Sequence, residues 1–290
     1  MNPLETKARV WTKIALYYAL TWLFTSLVGL MDRRAPSNLT LTTAMMWSPA
    51  LAAFVTRRLF GERMPASMWS WGDGRYAKWA IAIPFLYAVP VYLFAWLTGL
   101  GGFFDPATAK KIAADYGLTA LAPGLAFTIY VVISLTAGFI PKTARALGEE
   151  IGWRGFLVPE LSKVTGLLGV SLISGLMWSA WHFPAIIWSD YNAGTPSWFA
   201  LTCFTVAVTA ESFIFAWLTL RSRSIWPAAF LHGSHNMLIQ LVLTPATANT
   251  GLTPFVIDEF GAGLAITSVL AAVIVWRKRR DVALTGPTSF

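Results

Sequence analysis

The strongest constraint on this chain is that long apolar runs recur along its whole length. A run of roughly 17–25 mostly apolar residues can cross a bilayer as a helix. Eight segments qualify: about 11–31, 39–56, 79–100, 122–140, 166–188, 197–220, 225–243 and 259–276. Backbone N–H and C=O groups find no water in hydrocarbon, so each run is expected to satisfy them internally, as a helix. The expected fold is therefore all-α: a polytopic membrane protein of about eight transmembrane helices, with residues 1–290 forming a single helical membrane domain. The seventh span is the least regular, being short and carrying LHGSHN in its middle.

Composition agrees with this reading and narrows it. Charged residues make up 12% of the chain, 56% is hydrophobic, and the mean hydropathy is +0.57. Soluble domains are about 25% charged. The single Cys203 has no intrachain disulfide partner. The net charge of +8 could suggest nucleic acid, but the basic residues sit in short clusters at the ends of apolar spans, as membrane topology requires. No segment is long enough to build a phosphate-binding groove, so nucleic acid is not an expected partner. The start, with Lys7 and Arg9 ahead of an apolar run, resembles a signal peptide. Its apolar part is too long and no small-residue cleavage site follows, so it reads as a retained span.

The basic clusters also give an orientation. Eight spans put both termini on one side. Placing them in the cytoplasm puts Lys7, Arg9, Lys13, the group from Arg57 to Lys78, Lys142, Arg145, Arg154, Lys163, Arg221, Arg223 and the Arg277–Arg280 cluster inside. Only Arg33, Arg34, Lys110 and Lys111 then fall outside, and the loops near 189–196 and 244–258 contain no Lys or Arg. That bias is the signature of cytoplasmic loops. The connection 57–78, with tryptophans beside charges, reads as interfacial, and 101–121 reads as a short amphipathic helix on the outer surface. No internal repeat is present.

Against this oily background, GEEIGWRG at 148–155 stands out. It falls just after the fourth span, in a stretch that reads as a helix between Pro141 and Pro159. Successive helical residues point about 100° apart, so Glu149 and Glu150 face different partners. Glu150 and Arg154 are spaced i,i+4 and can pair on one face. All three histidines lie in apolar spans: His182 closes LMWSAWH, one turn after Trp178, and His232 and His235 lie in LHGSHN, with His232 and Asn236 on one helical face. Ionisable groups are costly in such spans and usually face a bundle interior or a water-filled cavity. Carboxylates, imidazoles and an amide in this distribution are the parts of a hydrolytic site: a base to activate water and donors for a developing oxyanion.

GEEIGWR fits an EExxxR pattern, WSAWH fits FxxxH with Trp178 in place of Phe, and HGSHN fits HxxxN. In that order on a multi-span chain they resemble the CAAX protease and bacteriocin-processing (ABI) family, which includes the Ras-converting endopeptidase. The resemblance covers a core of about 140–245. It implies that Glu149 is the base that deprotonates the attacking water together with His182. It also implies that His232 and Asn236 form the oxyanion site, and that Glu150 and Arg154 support the helix bearing Glu149. Trp178, Glu211 and His235 stand around that set. Glu211, a carboxylate inside the sixth span that no motif contains, can pair with His235 or bond a neighbouring helix.

Three functional readings remain open from sequence. The first is a metal-independent intramembrane endopeptidase, with no cofactor and a site opening towards the cytoplasmic side. The second is a zinc protease that draws ligands from His182, His232 and a glutamate; there is no HExxH helix, and Asn236 is a poor zinc ligand. The third is a non-catalytic membrane protein, such as a bacteriocin immunity factor, a scaffold or a transporter. The expected partners are membrane lipid and a hydrophobic or lipid-modified peptide or protein substrate. In the family's eukaryotic branch that substrate is a prenylated C-terminus. The lean chain suits a bacterial inner membrane.

Overall fold

The structure, a computed structural model, describes residues 6–32, 39–189 and 191–278. Arg33, Arg34, Arg279 and Arg280 lie outside the described residues. Twelve α-helices follow one another among those described: α1 (Lys7–Asp32), α2 (Leu39–Leu59), α3 (Gly74–Thr98), α4 (Pro106–Asp115), α5 (Pro123–Thr136), α6 (Phe139–Gly152), α7 (Val158–Ser162), α8 (Leu167–Trp188), α9 (Ser197–Ser222), α10 (Trp226–Asn236), α11 (Thr253–Val256) and α12 (Ala262–Arg277). A two-residue pairing of Gly102–Phe103 with Thr247–Ala248 is the only sheet among them. The protein is an all-α multi-pass membrane protein.

Each of the eight expected spans is helical, though they differ in length. Five helices are long and apolar enough to cross a bilayer alone, namely α1, α2, α3, α8 and α9. The fourth expected span is divided: α5 meets the Phe139–Ser162 stretch at a bend of 44°, and the pair counts as a sixth. The seventh is α10 running on into a π-helix over Met237–Leu243, and the eighth is the 16-residue α12. The expected surface helix in 101–121 is α4, capped by Asp105, which accepts a bond from the Ala107 N–H.

The helix bearing the glutamates extends beyond its expected limits at both ends. It begins at Phe139, with Pro141 in its first turn, where a missing N–H has no intrahelical partner to lose. It also passes through Pro159 to Ser162, by way of a π turn over Trp153–Leu157 in which the Val158 N–H reaches the Trp153 carbonyl. A proline inside an α-helix clashes with the carbonyl four residues back, and the wider turn lies where that clash would fall. At 1.5 Å per residue, Phe139–Ser162 runs for about 36 Å, enough to cross a bilayer by itself. Lys142 and Arg145 fall in the first half of this stretch, beside the bend from α5. They lie within the bundle.

The two ends of the bundle differ. At one end, buried Lys13 bonds Glu62 and Glu160, both at 2.9 Å, Arg57 lies 3.3 Å from Glu62 and 3.7 Å from Glu160, and Lys163 bonds Glu160 at 2.8 Å. This network ties α1, α2 and α7 together beside both described termini. At the other end lie Gly102–Phe103, α4, Tyr191 and the 244–261 segment. Between the two ends, helices approach through small residues. A Cβ on Gly233 of α10 would lie 2.8 Å from the Thr143 Cα of α6, and one on Gly152 would lie 2.7 Å from the Pro49 backbone of α2. Gly233→Ala should push α10 from α6 and cost about 1–3 kcal/mol through overpacking, read as a lower midpoint of thermal unfolding in detergent. An unchanged midpoint would show that the contact is not tight.

Candidate active site

Glu149 and Glu150 are both buried but point to opposite sides of α6. Glu149 Oε2 accepts a hydrogen bond from the Trp178 indole N–H of α8 at 2.8 Å. Glu150 Oε1 accepts two bonds, from Arg154 Nη1 at 3.0 Å and from His232 Nδ1 at 2.8 Å. The sequence spacing pairs Glu150 with Arg154; the structure adds His232, which no spacing along one helix could show. Arg154 is fully buried. Its guanidinium carbon lies 4.1 Å from the Trp178 ring centre and 3.9 Å from that of Phe215, so the cation is held between two aromatic faces.

Trp178 is the centre of the arrangement. Besides bonding Glu149 and covering Arg154, its ring lies 5.4 Å from that of His232 and 6.1 Å from that of His182. Reading Trp178 as a plain aromatic substitute for Phe misses its donor: a phenyl ring has no N–H to give Glu149. The two histidines have defined tautomers. A carbonyl can only accept, so His182 Nδ1 carries a proton that it donates to the Trp178 backbone oxygen at 3.0 Å, and Nε2 is left as an acceptor. His232 likewise donates from Nδ1 to Glu150. Donation from its Nε2 as well requires the doubly protonated ring, with Glu150 as counter-ion.

A cavity of about 880 Å³ collects these groups. Glu149 of α6, Trp178 and His182 of α8, Glu211 of α9, and His232, His235 and Asn236 of α10 all line it, whereas Glu150 and Arg154 lie behind its wall. Four residues that the sequence reading passed over as site members also line it: Lys142, Arg145, Gln240 and Glu259. Glu259 accepts bonds from the Tyr191 hydroxyl and Gln240 Nε2, both at 2.7 Å, and lies 3.3 Å from His235 Nε2. His235 is 3.8 Å from Glu211, too far for a hydrogen bond; its Nδ1 instead takes the Tyr87 hydroxyl at 2.6 Å. Glu211 accepts from Ser268 of α12 at 2.9 Å. Among the described residues, no three His, Cys, Asp or Glu side chains are grouped so as to hold a metal ion.

The cavity mouth lies at one end of the bundle. The lining includes Gly29 and Leu30 at the end of α1, Thr42 near the start of α2, Trp188 and Ser189 at the end of α8, Tyr191, and Glu259 ahead of α12. All lie at the end opposite the Lys13–Glu62–Glu160 network. The sequence reading placed the site after a span ending near 140. The unbroken Phe139–Ser162 stretch instead sinks Glu149 into the bundle and turns its side chain towards the other mouth.

The family profile described as Type II CAAX prenyl endopeptidase Rce1-like matches residues 123–238. Every residue singled out in the three motifs lies inside that stretch. Over that stretch, about two-fifths of its length, the chain is similar to the CAAX protease family. A member from Methanococcus maripaludis, CAAX prenyl protease 2, is 32% identical over 118 residues, which is 38% of this chain and 43% of the relative. The aligned part thus spans less than half the length of that curated relative.

The shared carboxylate makes a separate expectation testable. Arg154→Met leaves Glu150 buried with only His232, which should cost about 3–5 kcal/mol in stability. Glu150→Gln in the same chain should recover part of that loss in the thermal midpoint. Equal losses that simply add would show that the two residues are not coupled.

Proposed function

We propose that this protein is an intramembrane endopeptidase that cleaves a peptide bond near the C-terminus of a hydrophobic or lipid-modified, CAAX-like peptide, using water activated by a glutamate. The observation that carries this reading is that Glu149, His182, His232 and Asn236, from three helices, line one cavity while Glu150 and Arg154 brace it from behind. A water held between Glu149 and His182 Nε2 gives its proton to Glu149 as its oxygen attacks the scissile carbonyl. The resulting oxyanion takes hydrogen bonds from the Asn236 amide and from His232 Nε2 in its doubly protonated form. Collapse breaks the C–N bond, and Glu149 passes its proton to the leaving amine. The similarity of residues 123–238 to the Rce1-like family model and to a CAAX prenyl protease supports an endopeptidase.

Purified protein with a quenched, prenylated peptide tests this. Glu149→Gln should lower the rate by about 10²–10⁴-fold and Asn236→Ala by about 10²–10³-fold, with EDTA leaving wild type unchanged. Loss of wild-type activity on chelation, restored by zinc, would move the reading to a metalloprotease. Wild-type cleavage that Glu149→Gln does not impair would remove the proposed base.

The cavity mouth carries a second consequence. Lys7, Arg9, the basic residues of 57–78, Lys163, Arg221, Arg223, Arg277 and Lys278 lie at the closed end, which the charge bias places in the cytoplasm. The mouth then faces the opposite side, and the substrate is an extracytoplasmic or outer-leaflet peptide. A membrane-impermeant maleimide should label Ser189→Cys in intact cells and Ser70→Cys only after lysis. The reverse pattern would put the mouth in the cytoplasm.

A further inference from the structure

Lys142, Arg145 and Glu149 are spaced i, i+3, i+7 on α6, which puts them on one face, and all three line the cavity. Lys142 donates to Gln240 Oε1 at 2.6 Å, a neutral acceptor. Arg145, half-buried, has no hydrogen bond or ion pair with any described residue. Neither cation has a carboxylate within ion-pair distance among the described residues; Glu259, bonded to the same Gln240, attracts Lys142, while Arg145 repels it. Elsewhere in the bundle, buried Lys13, Arg57 and Arg154 are each paired with glutamates. Two like charges facing one cavity, one of them without a partner, are both stabilised by an anion between them.

We propose that Arg145, assisted by Lys142, binds the C-terminal carboxylate of the peptide substrate and so sets how far from the terminus the chain is cut. This rests on the endopeptidase reading above. The spacing supplies the ruler. Along α6, Arg145 and Lys142 stand about 6 and 10 Å from Glu149 at 1.5 Å per residue. An extended peptide covers about 3.3 Å per residue, so the carboxylate falls two to three residues beyond the bond presented to Glu149. Arginine suits the task because its planar fork meets both oxygens of a carboxylate. Arg145 lies outside the EExxxR motif, whose arginine is Arg154, buried behind the wall.

The test is a binding measurement on full-length Glu149→Gln protein in phosphatidylcholine nanodiscs, with a fluorescent prenylated heptapeptide bearing either a free C-terminal carboxylate or a C-terminal amide. The acid should bind about ten- to a hundredfold more tightly than the amide, as expected for one charge-assisted pair. Adding Arg145→Gln should abolish that preference while leaving amide affinity as it was, and Arg145→Lys should keep part of it. Equal affinity for acid and amide, no binding of either, or an Arg145→Gln change that weakens both alike would overturn the subsite. So would a defect that follows the phosphatidylglycerol content of the disc instead of the peptide's terminus, since that marks a lipid headgroup site. The two readings separate cleanly. Glu149-dependent cleavage by wild type without acid preference sinks only the subsite, and acid preference without cleavage sinks only the mechanism.

Discussion

Arg154, Glu150 and His232 form the contact on which the rest of the site depends. An arginine with no exposed surface is tolerable in an apolar bundle only if its charge is answered nearby. Here Glu150 answers it from one turn earlier on the same helix, and two aromatic rings from α8 and α9 answer it from either side. Because Glu150 also takes the Nδ1 proton of His232, the same carboxylate fixes the ring of a cavity residue on α10. One ion pair therefore sets the relative positions of four helices. Glu149, one residue before Glu150 and turned away from it, is free of that pairing and faces the cavity.

The asymmetry of the two ends follows from where charge is paired. At the end near the described termini, Lys13, Arg57 and Lys163 are tied to Glu62 and Glu160, and the helices draw together around them. At the other end polar groups line the cavity: Glu259 with Tyr191 and Gln240, and Lys142 with Gln240. A bundle closed by ion pairs at one end and lined with polar groups at the other has a built-in direction of access. Apolar residues of α1, α2 and α8 along the same wall give a hydrophobic chain a surface to lie on as it approaches Glu149.

Much of this was legible from residue order. The eight apolar runs became helices, α4 formed where a surface helix was expected, and the three motifs hold Glu149, Trp178, His182, His232 and Asn236, which share one cavity. What escaped notice did so for identifiable reasons. Trp178 looked like a simple aromatic because a sequence shows a ring but not where its N–H points. Glu259 looked like the start of a span; only its contact with Tyr191, on a distant loop, brings it to the site. Lys142 and Arg145 looked like topology signals because a cation beside an apolar run is usually an interfacial anchor.

The sequence by itself determined that this chain is a helical membrane protein, which end of it carries the basic clusters, and which residue types could meet as a hydrolytic set. Those are properties of composition, period and order, and lipid leaves the backbone little alternative to helix. Only the tertiary structure decided where α5 bends away from α6, that a π turn carries the helix through Pro159, and hence that Glu149 faces the mouth opposite the basic end. Apolar runs look alike whether they continue straight or break. The choice is made by contacts between segments far apart in sequence, such as Gly233 against Thr143 and His232 against Glu150.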